Sequence, residues 1–173
     1  MTSTPSTAVV GVGNTLMQDD GIGVWAVRAL AEQYIFPSDV RLIEGGVLGL
    51  RLLNDLRTAG QLLIIDAMNG DGEPGELFRL DADRLPKGRS SLMSLHEVGL
   101  SEILSVGELI GWCPRARILG VQPLELRTPG LELTPALQAA LPRIVCAVRE
   151  ELAHLGVQIK KQQYAVSYEQ SSA

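Results

Sequence analysis

Apolar and polar positions divide the chain into short runs rich in valine, isoleucine and leucine, alternating with longer segments of helical period. Residues 8–12, 40–43, 62–65, 76–80 and 117–121 read as strands. The first and third are apolar enough to be covered on both faces. After the first, Ile22, Trp25, Ala26, Ala29 and Leu30 share one helical face, with Arg28 and Glu32 off it. Residues 48–58 predict a second helix, with Leu48, Leu52, Leu53 and Leu56 inward and Gly60 closing it. A third helix is expected over 99–110, around Leu100, Ile103 and Leu104. The last starts at Thr134-Pro135, an N-cap followed by proline at the first helical position. It carries Leu137, Leu141, Ile144, Val148, Leu152 and Leu155 inward, and Gly156 ends it. Pro142 falls inside this pattern and should kink or divide the helix.

Strands alternating with helices predict an α/β fold with a mostly parallel sheet between helical layers. Only residues 67–75 separate Asp66 from the fourth strand. A parallel crossover needs a dozen or more, so this strand should run antiparallel to its predecessor. The 173 residues suit one domain. Polar segments at 1–7 and 158–173 read as loose tails, 81–91 as a surface loop, and 122–133 as a loop bearing proline and glycine.

Composition removes several classes of function. A net charge of −5 with 20% charged residues offers no basic face for nucleic acid. No apolar run approaches a membrane span, and the N-terminus lacks the basic start and apolar core of a signal peptide. Cys113 and Cys146 have the spacing of neither a disulfide framework nor a zinc knuckle. A soluble cytoplasmic protein, with no nucleic-acid or membrane partner, is expected.

Candidate chemistry begins where the first strand ends. Gly11 and Gly13 match two glycines of a dinucleotide fingerprint, but Leu16 stands in place of the third. Asp19 and Asp20 would also repel a pyrophosphate at the helix N-terminus. A cation or proton transfer suits the loop better; the plainer alternative is that one of the pair caps the helix. Asp66 ends the most apolar strand, where packing explains a carboxylate poorly. In a sheet ordered 2-1-3 and onward, the first and third strands meet at the switch point where such sheets bind ligands. Asp20 and Asp66 would then share one edge, with His96 on a nearby loop before the third helix. Two carboxylates and one imidazole with an open position suit Zn²⁺, Ni²⁺ or another divalent ion. His154, near the end of the last helix, suits the helix dipole and a surface role. Gly45 and Gly46, at the end of the second strand, would let a bound chain approach the backbone closely, or would simply make a turn with positive φ.

The ordered motifs resemble one family. Gly11-Val12-Gly13-Asn14, Asp19-Asp20-Gly21-Ile22-Gly23, Glu44-Gly45-Gly46 with Gly49, Ile64-Ile65-Asp66-Ala67, His96 with Gly99-Leu100, Gly120-Val121-Gln122-Pro123 and Leu133-Thr134-Pro135 are similar to those of the maturation endopeptidases of nickel–iron hydrogenases. They span nearly everything from Ala8 to Val157. The resemblance implies a three-layer α/β/α fold whose twisted, mostly parallel sheet has five strands, one of them antiparallel. It implies removal of a C-terminal extension from the hydrogenase large-subunit precursor after nickel insertion. It carries metal-binding and catalytic roles over to Asp20, Asp66 and His96, with nickel brought by the substrate and Zn²⁺ or Cd²⁺ as substitutes in vitro. Val47 departs from the pattern, since family members commonly carry threonine after the paired glycines. The ion would polarise the scissile carbonyl or acidify a bound water, and Asp66 could act as general base. Two rivals stand beside this reading. One is a cysteine protease using Cys113 and His96, disfavoured because Cys113 precedes Pro114 on a connection. The other is a non-catalytic nickel-binding chaperone of the same large subunit, using the same ligands.

Overall fold

The computed structural model describes residues 6–47, 49–81 and 95–162, apart from the side chains of residues 95–98 and 101. In chain order the elements are β1 (Thr7–Val12), α1 (Ile22–Gln33), β2 (Tyr34–Ile35), β3 (Val40–Gly46), α2 (Leu52–Leu56), β4 (Gln61–Ala67), β5 (Leu77–Asp81), α3 (Leu95–Leu109), β6 (Arg115–Val121), α4 (Pro135–His154) and β7 (Lys160–Lys161).

Every residue of β1 and of β4 is buried, because each strand has a neighbour on both sides and a helical layer on both faces. The main sheet has the order β3-β1-β4-β6-β5. Its first four strands are parallel, and β5 runs antiparallel on the edge of β6. This is the expected five-stranded α/β architecture with one reversed strand. The pairing has one feature that loop length alone does not dictate. β5 opposes β4 in direction but bonds to β6, which already occupies the free side of β4.

The period-two alternation of strands separates the core into two layers. Val9, Leu63, Ile65 and Ala67 pack with Ile22, Ala26 and Leu30 of α1 and with Leu137, Ile144, Val148 and Leu152 of α4. Ala8, Val10, Val12, Leu62 and Ile64 pack with Leu52 and Leu56 of α2 and with Leu100 and Ile103 of α3. On the same alternation, Asp66 follows Leu62 and Ile64 toward the side of the sheet that α2 and α3 cover. On α4, Glu151 is 4% exposed and bridges Arg79 of β5 at 2.7 Å and Arg117 of β6 at 2.9 Å. That buried, doubly paired carboxylate fastens the antiparallel edge to the helix.

Several expected boundaries move. α2 is shorter than 48–58, because the chain before it forms tight turns from Leu52 N–H to Gly49 C=O and from Leu53 N–H to Leu50 C=O; Leu48 lies outside the described residues. Gly60 does not close α2; its N–H donates to Ser6 C=O. α3 begins at Leu95 rather than at Gly99, since one interior glycine costs a helix only about 1 kcal/mol. His96 is therefore in the first turn of the helix, not on a loop before it. α4 continues through Pro142. The one hydrogen bond that proline removes is outweighed by a buried stripe running from Leu137 to Leu152. Nor do the presumed tails begin where expected. Thr7 is a buried strand residue, Ile159 packs against the core, and β7 pairs antiparallel with β2. Residues 1–5, 82–94 and 163–173, which hold most of the expected tails and loop, lie outside the described residues.

The seat of α1 on the sheet is unusually close. A Cβ on Gly23 would collide with the carbonyl oxygens of Ile65 and Val12, so no side chain fits between the first helical turn and the ends of β1 and β4. Gly23→Ala should destabilise the fold by about 3 kcal/mol, because the obstruction is backbone and cannot rotate away. Chemical denaturation of the purified variant measures this; a shift under 1 kcal/mol would mean that α1 can slide outward freely.

Candidate active site

β1 and β4 lie side by side with Gly11 beside Ile65, so the chain leaves both strands at the same edge of the sheet. Beyond β1, Gly13 adopts φ +127° and its N–H donates to Gly46 C=O at 2.9 Å. The chain then passes through a 3-10 turn at Gln18–Gly21. Asp20 is held inward there, with Oδ2 accepting from Asn14 N–H at 2.9 Å, while Asn14 Oδ1 accepts from Leu16 N–H at 3.0 Å. Asp66 is the penultimate residue of β4, is 4% exposed, and lies in register with Gly120 of β6. Topology therefore carries these two carboxylates to one edge, at the point where β1 and β4 diverge to opposite sides of the sheet.

Helix α3 reaches the same edge. Beyond its C-terminal end, Trp112 Nε1 donates to Ala59 C=O at 2.8 Å, and Arg115 N–H donates to Gly60 C=O at 3.0 Å, at the start of β4. The helix runs antiparallel to the strand that follows it, so its first turn stands at the carboxyl end of the sheet. Position 96 precedes Leu100 and Ile103 by four and seven residues, the spacing of one helical stripe, and both of those pack on the sheet face toward which Asp66 lies. Among the described residues, no three His, Cys, Asp or Glu side chains gather to hold an ion; the His96 side chain lies outside those residues. Cys113 is exposed beyond the opposite end of α3, a helix of 15 residues and so about 22 Å long. A Cys113–His96 pair is incompatible with that separation.

Asp19, the partner of Asp20 in sequence, does something the sequence did not suggest. It is 0% exposed, yet it caps no helix of its own: the N-cap of α1 is Gly21, with no side-chain bond. Its carboxylate instead accepts from the N–H groups of Leu124, Glu125 and Thr134 at 3.0, 3.1 and 2.8 Å, and from Thr134 Oγ1 at 2.9 Å. Thr134 in turn caps α4. Gln122 has a similar office nearby. Its Oε1 accepts from Gly70 and Gly72 N–H at 2.8 and 3.2 Å, folding the loop that follows Asp66. The only sequence signals for these roles were the duplicated aspartate and the Gly120-Val121-Gln122-Pro123 motif.

The paired glycines differ from each other. A Cβ on Gly45 would press on Val10 and Gly11, whereas one on Gly46 would meet nothing within 4 Å. Gly46 has φ +53°, which accounts for glycine there by conformation alone. Just before them, Glu44 accepts from Arg28 Nε and Nη2 at 3.1 and 2.8 Å, and the guanidinium lies over Trp25 at 5.2 Å. Those hydrogen bonds hold the Glu44 carboxyl below the usual carboxylate range. A separate cavity of about 340 Å³, lined by Arg79, Arg115, Arg117, Glu151 and His154, lies at the opposite end of β6, where Glu151 pairs two of the arginines.

Fold and site together define an open, doubly wound α/β domain with acidic residues at its switch point. Comparison with known proteins narrows that class. The HycI family model, described as hydrogenase maturation protease, matches residues 24–151. The hydrogenase expression/formation protein HupD of Rhodobacter capsulatus is 36% identical over 155 residues, covering 88% of this chain and 74% of the relative. The hydrogenase 2 maturation protease of Escherichia coli K12 is 36% identical over 148 residues, covering 82% of this chain and 90% of the relative. The solved structure of the hydrogenase maturating endopeptidase HybD from E. coli superposes with a TM-score of 0.81 at 32% identity, covering 90% of this chain and 97% of that one. The chain belongs to the hydrogenase maturation protease family.

Two outcomes follow from this geometry. Asp19→Ala leaves three backbone donors and a hydroxyl around an empty site, and should cost about 3–5 kcal/mol by denaturant titration. Thr134→Ala should cost nearer 1 kcal/mol, the loss of a cap; similar losses for the two would deny the carboxylate its central part. By NMR titration, Glu44 should ionise below its ordinary value, and Arg28→Ala should return it there. Because the folded value is the lower one, the pair stabilises the fold above the unfolded carboxyl pKa and ceases to as pH falls through the folded value. Both side chains are about half exposed, so the contribution should be under about 1 kcal/mol.

Proposed function

We propose that this protease removes a C-terminal extension from the large-subunit precursor of a nickel–iron hydrogenase once nickel is in place. Asp20, Asp66 and His96 complete the coordination of that ion. The observation that supports the reading is the delivery of Asp20, Asp66 and the first turn of α3 to one edge of the sheet. The donor chemistry fits: one carboxylate from the turn after β1 and one from the end of β4, with an imidazole, suit a divalent ion of borderline softness, and Zn²⁺ or Cd²⁺ could use the same ligands in vitro. Nickel arrives as part of the substrate, and its chemistry is to withdraw electrons from a bound oxygen.

The chain's own groups do the rest. Asp20, steadied by Asn14, would be one of the ligands that hold the ion. Asp66, almost excluded from water at the strand end, is the group we assign as general base, since it stands at the edge where the reacting segment would lie. Gly46, open on its outer side, lets an extended substrate chain lie against the β3 turn. The same ligands would serve a chaperone that binds nickel without cleaving, but membership of a protease family favours hydrolysis. No helix among the described residues is long and apolar enough to cross a membrane, and we read the protein as acting in the cytoplasm.

The decisive assay mixes protein with nickel-loaded and nickel-free precursor and follows loss of the C-terminal peptide by mass. Cleavage should require nickel, and Asp66→Ala and His96→Ala should abolish it while circular dichroism stays unchanged. Gly46→Ala should weaken cleavage at limiting precursor. Equal cleavage of both precursor forms would end the nickel-recognition model, and binding without any change of mass would favour the chaperone.

A further inference from the structure

Among the described residues, eight large apolar side chains are well exposed, and five of them, Leu16, Val47, Leu50, Leu124 and Leu131, sit on the loops that leave the carboxyl ends of β1, β3 and β6. Their exposures run from 57% to 70%. Scattered surface leucines need no explanation, but apolar residues gathered at one edge do.

Hydrogen bonds sort the five into two patches. Gly130 N–H donates to Leu16 C=O at 3.0 Å, and Gln18 N–H donates to Gly130 C=O at 3.0 Å. Leu16 therefore joins Leu131 on the loop after β6. Leu124 is tied to the same junction through Asp19. Val47 and Leu50 follow β3, on the far side of β1. The sheet order β3-β1-β4-β6 puts the strands that deliver Asp20 and Asp66 between the two patches. Three strand spacings separate β3 from β6, about 14 Å, a span that four or five extended residues can cross.

Part of the charge of this edge is engaged within the protein, while Arg51, Arg127 and Glu132 remain exposed on the same loops. Asp19 is consumed by backbone donors, and Glu44 is paired with Arg28. Glu125 Oε1 accepts from Arg127 and Thr128 N–H at 2.6 and 3.1 Å. Beside those charges, the loops offer a partner five exposed apolar side chains.

We infer that Leu16, Leu124 and Leu131 on one side, and Val47 and Leu50 on the other, form a divided docking face for an apolar surface of the folded hydrogenase precursor, gripping it on both sides of the segment to be cleaved. This rests on the function proposed above and adds how the substrate is held. The face fixes the precursor by burial of apolar area, while the carboxylates between the patches are left to the reacting segment. Docking by apolar burial is insensitive to salt, because ionic screening acts on charges and not on hydrocarbon contact.

The test uses Leu131→Glu and Val47→Glu, with Leu109→Glu as control, since Leu109 is 86% exposed at the other end of α3. All three positions are on the surface, and unchanged melting curves would show intact folds. Binding of nickel-loaded precursor should weaken about ten-fold in each rim variant, with KM raised to match, kcat nearly constant, and the control unaltered. Raising ionic strength should leave the wild-type Kd almost unchanged. Wild-type cleavage with undiminished binding by both rim variants would overturn the docking face alone, as would a Kd that rises steeply with salt. Wild-type binding without cleavage, lost in the rim variants, would keep the face and overturn the protease reading. Absence of wild-type binding would overturn both.

Discussion

The buried carboxylate of Asp19 is the constraint on which the carboxyl edge of this protein depends. Three N–H groups and a hydroxyl converge on it from two separate points of the 122–134 segment. Ionised, it accepts all four without donating, which no neutral side chain of its size can do. The turn after β1, the loop after β6 and the start of α4 are thereby fastened to one another, although 115 residues separate Asp19 from Thr134. Asp20 occupies the next position on that turn, so its placement is inherited from its neighbour.

A second constraint works from below. Gly23 seats the first turn of α1 against the carbonyls of Val12 and Ile65, where the chain leaves β1 and β4. Parallel strands already bring their carboxyl ends to one edge. Close helix packing then limits how far the intervening turn can move, and Asn14 and Gly13 tie it to Asp20 and to Gly46. The loops that carry the candidate site are thus well bound to the sheet.

Polar groups divide into two kinds of work. At the amino end of β6, Glu151 is buried between Arg79 and Arg117 and serves to hold the reversed strand against α4. At the carboxyl edge, Asp19 and Glu125 bind backbone, and Glu44 pairs with Arg28. Asp66 differs in its setting: it is a carboxylate at the end of an all-buried strand, where apolar residues would pack as well.

The sequence by itself determined the alternation of strands and helices, because burial on a strand has period two and on a helix period 3.6, and both can be read from local order. It determined the direction of β5, because nine residues cannot make a parallel crossover. The ordered glycine and aspartate motifs also sufficed to recognise the family. What local order could not contain was pairing between distant segments. Only the tertiary structure decided that β6 would insert between β4 and β5, that residues 160–161 would pair with β2, and that α4 would run on through Pro142 because its buried stripe outweighs one lost bond. The two adjacent aspartates show the division most clearly. In the sequence either could be the cap, although Asp20 alone is the candidate for the site. Folding turned Asp19 into the interior to meet donors more than 100 residues away and left Asp20 at the edge, because a side chain's partners are chosen by the packing of the whole chain.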